Sequence, residues 1–213
     1  MSSATGVVSR AVGKLHPSKT AILLCDVQER FRPLIHKMET VVRTCQYMTS
    51  VGHALDIPIV ATQQYTKVFG GTLDECFATP EIKAATPIYD KKKFSMLTDE
   101  VSTKLTELDK SSYIMLGIET HVCVQQTCLD LLEQGKDVHI IVDGVSSQQA
   151  IDRQVALQRM QAAGAYLTTA QSAAYMLMQS ADHPKFKDVS KLTVAHMKLP
   201  NEFNDAAAAN SSL

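Results

Sequence analysis

Short continuous apolar runs alternate along this chain with segments whose apolar residues recur at helical spacing. Ala21 to Cys25 is apolar throughout and stops at Asp26, the pattern of a strand covered on both faces. Met38, Val41, Val42, Cys45, Met48, Gly52 and Leu55 recur in steps of three and four, which predicts an amphipathic helix over 38–55. Pro58 opens a second apolar run, Ile59 to Thr62, and a polar, Gly-containing stretch follows from Gln63 to Asp74. A third strand is expected over 86–89, a polar helix over 98–108 and a fourth strand over 113–117. Val124, Cys128, Leu131 and Leu132 mark a helix closed by Gly135, a residue suited to the left-handed position after a helix end. Val138 to Val142 is a fifth strand ending in Asp143-Gly144, and Ser146-Ser147 then reads as the N-cap of the next helix. That helix carries Ile151, Val155 and Met160 and ends at Gly164; a short strand at 165–168 and a helix at 170–180 follow.

Six strands alternating with helices require parallel pairing through right-handed crossovers. The expected fold is a three-layer α/β sandwich on one six-stranded parallel sheet. No internal repeat or linker divides it. The expected domain spans 18–200, between flexible tails at 1–17 and 201–213.

Composition narrows the class. The chain has 213 residues, 45% hydrophobic and 20% charged, enough for one domain with a sizeable core. Lys+Arg 21 against Asp+Glu 22 leaves no basic footprint for nucleic acid. No apolar run approaches the ~18 residues of a membrane span, and no apolar h-region follows a basic start. The five cysteines, at 25, 45, 76, 123 and 128, form no Cys-x-x-Cys pair, so neither a zinc site nor a thioredoxin-type motif is expected. Reduced thiols inside the cell are the expectation. The first carboxylate in the chain is Asp26. Before it, Arg10 and Lys14 stand among Val7, Val8, Ala11, Val12 and Leu15, a faint likeness to a mitochondrial presequence. Ser211-Ser212-Leu213 is a degenerate relative of a peroxisomal signal. The expected location is intracellular, cytoplasmic or mitochondrial.

In an open parallel sheet, ligands bind beyond the carboxyl ends of the strands where the strand order reverses. With the order 3-2-1-4-5-6, strands one and four are neighbours at that point. Asp26 ends strand one, and Gly117-Ile118-Glu119-Thr120-His121-Val122-Cys123 follows strand four. Cys123 is expected in the first turn of a helix over 123–134, where the helix dipole favours a thiolate and unpaired N–H groups can hold an oxyanion. Asp26, after five apolar residues, is a candidate for proton transfer, or else caps the turn. Cys25, in mid-strand, and Cys45, on an apolar helix face, are expected in the core, and Cys76 in a loop. Lys91, Lys92 and Lys93 form a charge run; in extended chain 91 and 93 share one side. A lysine brought near Asp26 and Cys123 would hold their charges, but strand three lies two strands from strand one. His36, His53, His121 and His183 make no pair at metal-ligand spacing, so no metal site is expected; His121 remains a candidate pocket residue. Gly70-Gly71 is a loop pair and not a phosphate loop, so no nucleotide cofactor is expected.

Three segments together resemble the isochorismatase-like hydrolase family: Leu24-Cys25-Asp26-Val27-Gln28-Glu29-Arg30-Phe31, Lys91-Lys92-Lys93-Phe94-Ser95-Met96, and Gly117 through Thr127. The runs 137–143 and 164–169 match as well, and the resemblance covers about residues 18–195. It implies a Rossmann-like sheet and a cofactor-free triad: Asp26 as base, Lys91 as the lysine and Cys123 as nucleophile. Lys91 is preferred to Lys93 because the family lysine lies four residues before the motif serine, here Ser95. The resemblance also implies a cis peptide at Ile118–Glu119, aiming the N–H groups of Glu119 and Cys123 at an oxyanion. The nicotinamidases of this family carry an Asp/His/His metal site after strand two; here that stretch is Thr62-Gln63-Gln64-Tyr65-Thr66, without histidines. Phe31 and Tyr65 are pocket candidates by position. The expected function is a metal-independent cysteine hydrolase of a small amide-like substrate. The alternatives are an enol-ether hydrolase, a non-catalytic scaffold and, less favoured, an RNA-acting nuclease. The expected partners are a small-molecule substrate and further copies of the chain, with no nucleic acid, membrane or cofactor.

Overall fold

The computed structural model describes residues 12–204. In chain order its elements are β1 (Thr20–Cys25), α1 (Met38–Ala54), β2 (Ile59–Gln64), α2 (Thr66–Phe69), α3 (Pro80–Ala84), β3 (Ile88–Lys91), α4 (Asp99–Leu108), β4 (Ser112–Ile118), α5 (Gln125–Glu133), β5 (Asp137–Ser146), α6 (Ala150–Ala162), β6 (Tyr166–Thr168), α7 (Ala170–Met178) and α8 (Phe186–Met197). The six strands form one sheet in the order β3-β2-β1-β4-β5-β6, every neighbouring pair parallel. This is the expected strand order.

The continuous apolar runs are explained by burial on two faces. Every residue of β1 and of β4 is buried. Ile22, Leu24, Ile114 and Leu116 pack towards Val41, Met48, Ala173 and Leu177 of α1 and α7. Leu23, Cys25 and Met115 pack on the opposite side with Val101, Leu105, Cys128 and Leu131 of α4 and α5. The alternation of side chains along each strand divides the two cores.

The two central strands approach closely where they end. Cys25 pairs with Gly117, whose φ is +114°. A Cβ at Gly117 would lie 2.0 Å from the Cys25 carbonyl oxygen, so only glycine fits there.

Several boundaries differ from expectation. The third strand occupies 88–91, not 86–89, which places Lys91 inside it. The fifth strand does not stop at Asp143-Gly144. An irregularity between Met115 and Gly117 lets β5 continue beside β4 until Ser146 pairs with Ile118. Asp143 therefore lies within the strand and accepts the Ala170 N–H at 2.9 Å, at the start of α7. Ser146 and Ser147 do not cap α6, whose N-cap is Gln149; the Ser146 hydroxyl donates to the His36 carbonyl at 2.5 Å. Three helices lie outside the expected set: α2 within the polar stretch, α3 between it and β3, and α8, which seats Thr193 Oγ1 2.8 Å from Tyr47 Oη on α1. Leu15, ahead of β1, is buried, and its N–H points at Met176 Sδ, 3.2 Å away. The presequence-like stretch through Ala11 and the Ser-Ser-Leu terminus lie outside the described residues. Among the described residues no helix is long and apolar enough to cross a membrane.

Candidate active site

β1 delivers Asp26 in a left-handed turn, φ 51°, immediately past its last residue. The Asp26 N–H still continues the sheet pattern, donating to the Thr62 carbonyl at 3.0 Å. Its carboxylate is gripped at both oxygens. Thr62 Oγ1 donates to Oδ1 at 2.8 Å, and Lys91 Nζ lies 2.6 Å from Oδ2. The Lys91 and Asp26 side chains are 0% and 2% exposed, so this is a sealed ion pair.

Lys91 sits at the last position of β3, paired in register with Gln64. Its ammonium also reaches Gln64 Oε1 at 2.7 Å, the Phe94 carbonyl at 2.9 Å and the Lys93 carbonyl at 3.1 Å. Burial by itself would lower the Lys91 ammonium; Cys25, Asp26 and Cys123 around it outweigh that and raise it above its ordinary value. A buried charge needs such partners, because an unpaired one is costly. The distance across two strands is bridged because the long lysine side chain spans the end of β2, where only Thr62 and Gln64 stand between.

Lys93 does not share this position. β3 ends at Lys91, so alternation does not carry through to 93. Lys93 Nζ donates to the Leu97 carbonyl at 3.0 Å and lies 3.9 Å from Asp130.

The peptide between Ile118 and Glu119 is cis. Thr120–Val124 then forms a π-helical turn, and α5 begins at Gln125. Cys123 therefore sits in a wide turn leading into the helix and not in the first turn of an α-helix over 123–134. The turn is held from two directions. Val122 and Val124 donate to the Glu119 carbonyl at 3.1 and 3.2 Å. Thr127 Oγ1 donates to the Cys123 carbonyl at 2.6 Å and accepts the Met96 N–H at 2.8 Å, which ties the lysine segment to the cysteine turn. The Glu119 side chain faces away, accepting the Gln148 N–H at 2.8 Å.

Cys25 lies in the core, as expected, and also belongs to the cluster. Cys25 Sγ, Cys123 Sγ and an Asp26 carboxylate oxygen all lie within 4.8 Å of one another. The Cys25 thiol points at Asp26 Oδ2 from 3.6 Å. Burial pushes this thiol well above its ordinary pKa, and the Cys123 sulfur and the Asp26 charge push the same way. Strand parity would send residues 25 and 26 to opposite faces. The left-handed turn at Asp26 breaks that parity and brings both polar groups to one spot. No local pattern announces it; the positive φ of a non-glycine residue is visible only in the fold.

The remaining candidates separate. Tyr65 lines a cavity of about 360 Å³ with Thr66, Lys67, Asp90, Lys91 and Lys92, and Lys92 Nζ stands 5.1 Å from its ring centroid. Phe31 stacks on Phe69, with ring centroids 4.7 Å apart. His121 Nδ1 lies 3.0 Å from Ser147 Oγ, and its Nε2 lies 3.8 Å from Asp152. Sequence reasoning also passed over Gln28 and Gln64. Gln28 Nε2 donates to the Gln64 and Gly70 carbonyls at 3.0 and 2.6 Å, and its Oε1 accepts the Gln64 N–H at 2.7 Å. The stretch without histidines thus holds amides that fasten the ends of β1, β2 and β3 together.

A doubly wound parallel sheet with an acid, an ammonium and two thiols gathered beyond its central strands is the architecture of a Rossmann-like hydrolase. The chain belongs to the isochorismatase family: the isochorismatase domain model matches residues 20–172. A secreted isochorismatase effector, Isc1, of Phytophthora sojae is 42% identical over 97% of this chain and 98% of its own. Isochorismatase domain-containing protein 2 of Xenopus laevis is 40% identical over 86% of this chain and 87% of its own. Among solved structures, one described as MAR1 ribonuclease from Caenorhabditis elegans superposes with a TM-score of 0.79 at 38% identity, covering 85% of this chain and 92% of that one. The protein is accordingly a hydrolase of the isochorismatase-like class.

Proposed function

We propose that the protein is a metal-independent cysteine hydrolase acting on a small amide-like C–N substrate. The observation that carries this reading is the sealed Asp26–Lys91 pair at 2.6 Å with the Cys123 sulfur within 4.8 Å of the same carboxylate. Asp26 takes the thiol proton, and Cys123 attacks the substrate carbonyl. The backbone N–H groups of Glu119 and Cys123 receive the developing oxyanion. Collapse expels the amine, which leaves with the proton from Asp26 and yields a thioester on Cys123. Asp26 then deprotonates water, which attacks the thioester; the C–S bond breaks, the acid is freed and Asp26 returns its proton to the Cys123 sulfur. Lys91 keeps the carboxylate charged between steps, and Tyr65 lines the approach.

The test is Cys123→Ala against a panel of small amides, read by release of ammonia or amine. The expected result is a loss of kcat/KM of about a thousandfold or more with an unchanged circular dichroism spectrum. Retained turnover overturns the covalent route. Release of pyruvate from an enol ether in place of amine release supports the ether-hydrolase alternative, in which Asp26 protonates the ether. A Cys123 thiol no more reactive towards an alkylating probe than Cys45 supports a non-catalytic scaffold.

The ribonuclease description of the Caenorhabditis elegans relative favours one further reading, hydrolysis of RNA. Its support in this chain is the pair of lysines 67 and 92 at the cavity. Cleavage of a labelled single-stranded RNA that weakens steeply with salt is its signature; absence of cleavage at low salt removes it.

A further inference from the structure

The hydrolytic scheme uses one of the two thiols in the cluster and leaves Cys25 without a task. We propose that Cys25 and Cys123 form a dithiol modification site, which a hydroperoxide oxidises reversibly to an intramolecular disulfide. Of the five cysteines, Cys123 alone retains solvent exposure, 7%, while Cys25, Cys45, Cys76 and Cys128 are at 0%. Oxidant therefore reaches Cys123 first. The Lys91 ammonium, paired with Asp26 at 2.6 Å, lies in the same cluster.

The chemistry closes in two steps. The Cys123 sulfur attacks the hydroperoxide; an S–O bond forms, the O–O bond breaks and an alcohol or water leaves. The sulfur is oxidised by two electrons to a sulfenic acid, and the peroxide is reduced. The Cys25 sulfur then attacks the Cys123 sulfur; an S–S bond forms, the S–O bond breaks and water leaves. Asp26 Oδ2, 3.6 Å from Cys25 Sγ, receives the Cys25 proton and passes it to the departing oxygen. The sulfurs start within 4.8 Å of one another, so reaching a bond length of about 2.05 Å needs a closure of at most about 3 Å. Cys123 stands on a turn and not in mid-strand, where side-chain rotation supplies that closure. The disulfide ties up the nucleophile and spares it from irreversible oxidation.

A second thiol pair serves as the internal comparison. Cys45 on α1 lies against Cys76 on the other side of the sheet, both buried and free, with no ammonium acting on Cys45 among the described residues. The experiment treats the native full chain with limiting hydrogen peroxide, alkylates the remaining thiols, digests with trypsin and reads the products by mass spectrometry. Cys25 and Cys123 fall in separate tryptic peptides, 20–30 and 111–136, and fragmentation separates Cys123 from Cys128. The expected product is one cross-link between those peptides, joining Cys25 to Cys123, with loss of two alkylatable thiols restored by dithiothreitol. In Cys25→Ser the cross-link disappears and sulfinic acid at Cys123 rises severalfold. Three results overturn the proposal: Cys123 carried to sulfinic acid in the native chain with Cys25 still alkylatable, a Cys45–Cys76 link forming ahead of it, or Cys123 left unoxidised. The readout is thiol mass and not turnover, so it stands or falls separately from the hydrolytic reading.

Discussion

Lys91 and Asp26 depend on each other more than any other pair of side chains in the described residues, because each is the other's counter-charge in a place water does not reach. Lys91→Met leaves the Asp26 carboxylate buried without its cation. The expected cost is about 3–5 kcal/mol in chemical denaturation, together with loss of hydrolysis. Adding Asp26→Asn to that variant recovers part of the stability and none of the activity; a double variant no more stable than Lys91→Met shows that the pair is not coupled. His139 makes a second residue-scale prediction. It is buried on β5, stacked 4.9 Å from Tyr166, and its Nε2 has no hydrogen-bond partner among the described residues. Burial lowers its pKa from 6.5 to about 4, against a small opposing pull from Asp137. The unfolded chain therefore binds a proton that the native chain refuses between those values. Stability from this group is full above about 6.5 and is lost as the pH falls towards about 4, with a slope of at most about 1.4 kcal/mol per pH unit. Burial lowers His196 as well, which acts in the same direction. His139→Phe flattens the slope; an unchanged slope in urea titrations from pH 7 to about 4 refutes the assignment.

At the scale of elements, two glycines with positive φ separate crowding from backbone strain. Gly117 faces the β1 backbone, whereas Gly135, φ +72°, has nothing within 4 Å of its would-be Cβ. Gly135→Ala is expected to cost about 1–2 kcal/mol, the strain of a left-handed alanine. Gly117→Ala adds a clash with the Cys25 carbonyl and is expected to cost well above that, about 3 kcal/mol or more, because β1 and β4 must part. Equal melting temperatures for the two variants refute the difference. The same scale shows why some elements were legible and others were not. The helix around Val41 and Met48 and the runs 21–25 and 59–62 declare themselves by period. The four residues of α2 and five of α3 are shorter than any periodic window. In α8 the buried positions are Val189 and Thr193, and a threonine facing inward hides the apolar stripe. The π turn at Thr120–Val124 has no period of its own.

Across the whole molecule, the cluster draws on the end of β1, the end of β3 and the turn after β4, segments about thirty to one hundred residues from one another in the chain. Sheet order makes them neighbours: β2 beside β1 brings Thr62, β3 beside β2 brings Lys91, and β4 beside β1 brings Cys123. The homo-oligomer expected from the family resemblance belongs to this scale too. Ile151 and Val155 on α6 are exposed in the single chain, 61% and 53%. Sedimentation is expected to show a species larger than one chain, and a monomer at every concentration refutes it.

By itself the sequence determined what is periodic or contiguous: the alternation of strands and helices, hence a parallel doubly wound sheet, and the candidates Asp26, Lys91 and Cys123 within their motifs. The elements follow from local stereochemistry and from the burial that each pattern demands, and the three residues together from the motif resemblance. The tertiary structure brought Lys91, the lysine preferred on the motif resemblance, onto the carboxylate, and this depends on where β3 ends. It also decided that Cys25, a core residue, stands beside Cys123, because β1 and β4 are neighbours in the sheet and both thiols face the same core. Both are settled by contacts between segments far apart in the chain, and no local pattern encodes a contact made across a sheet.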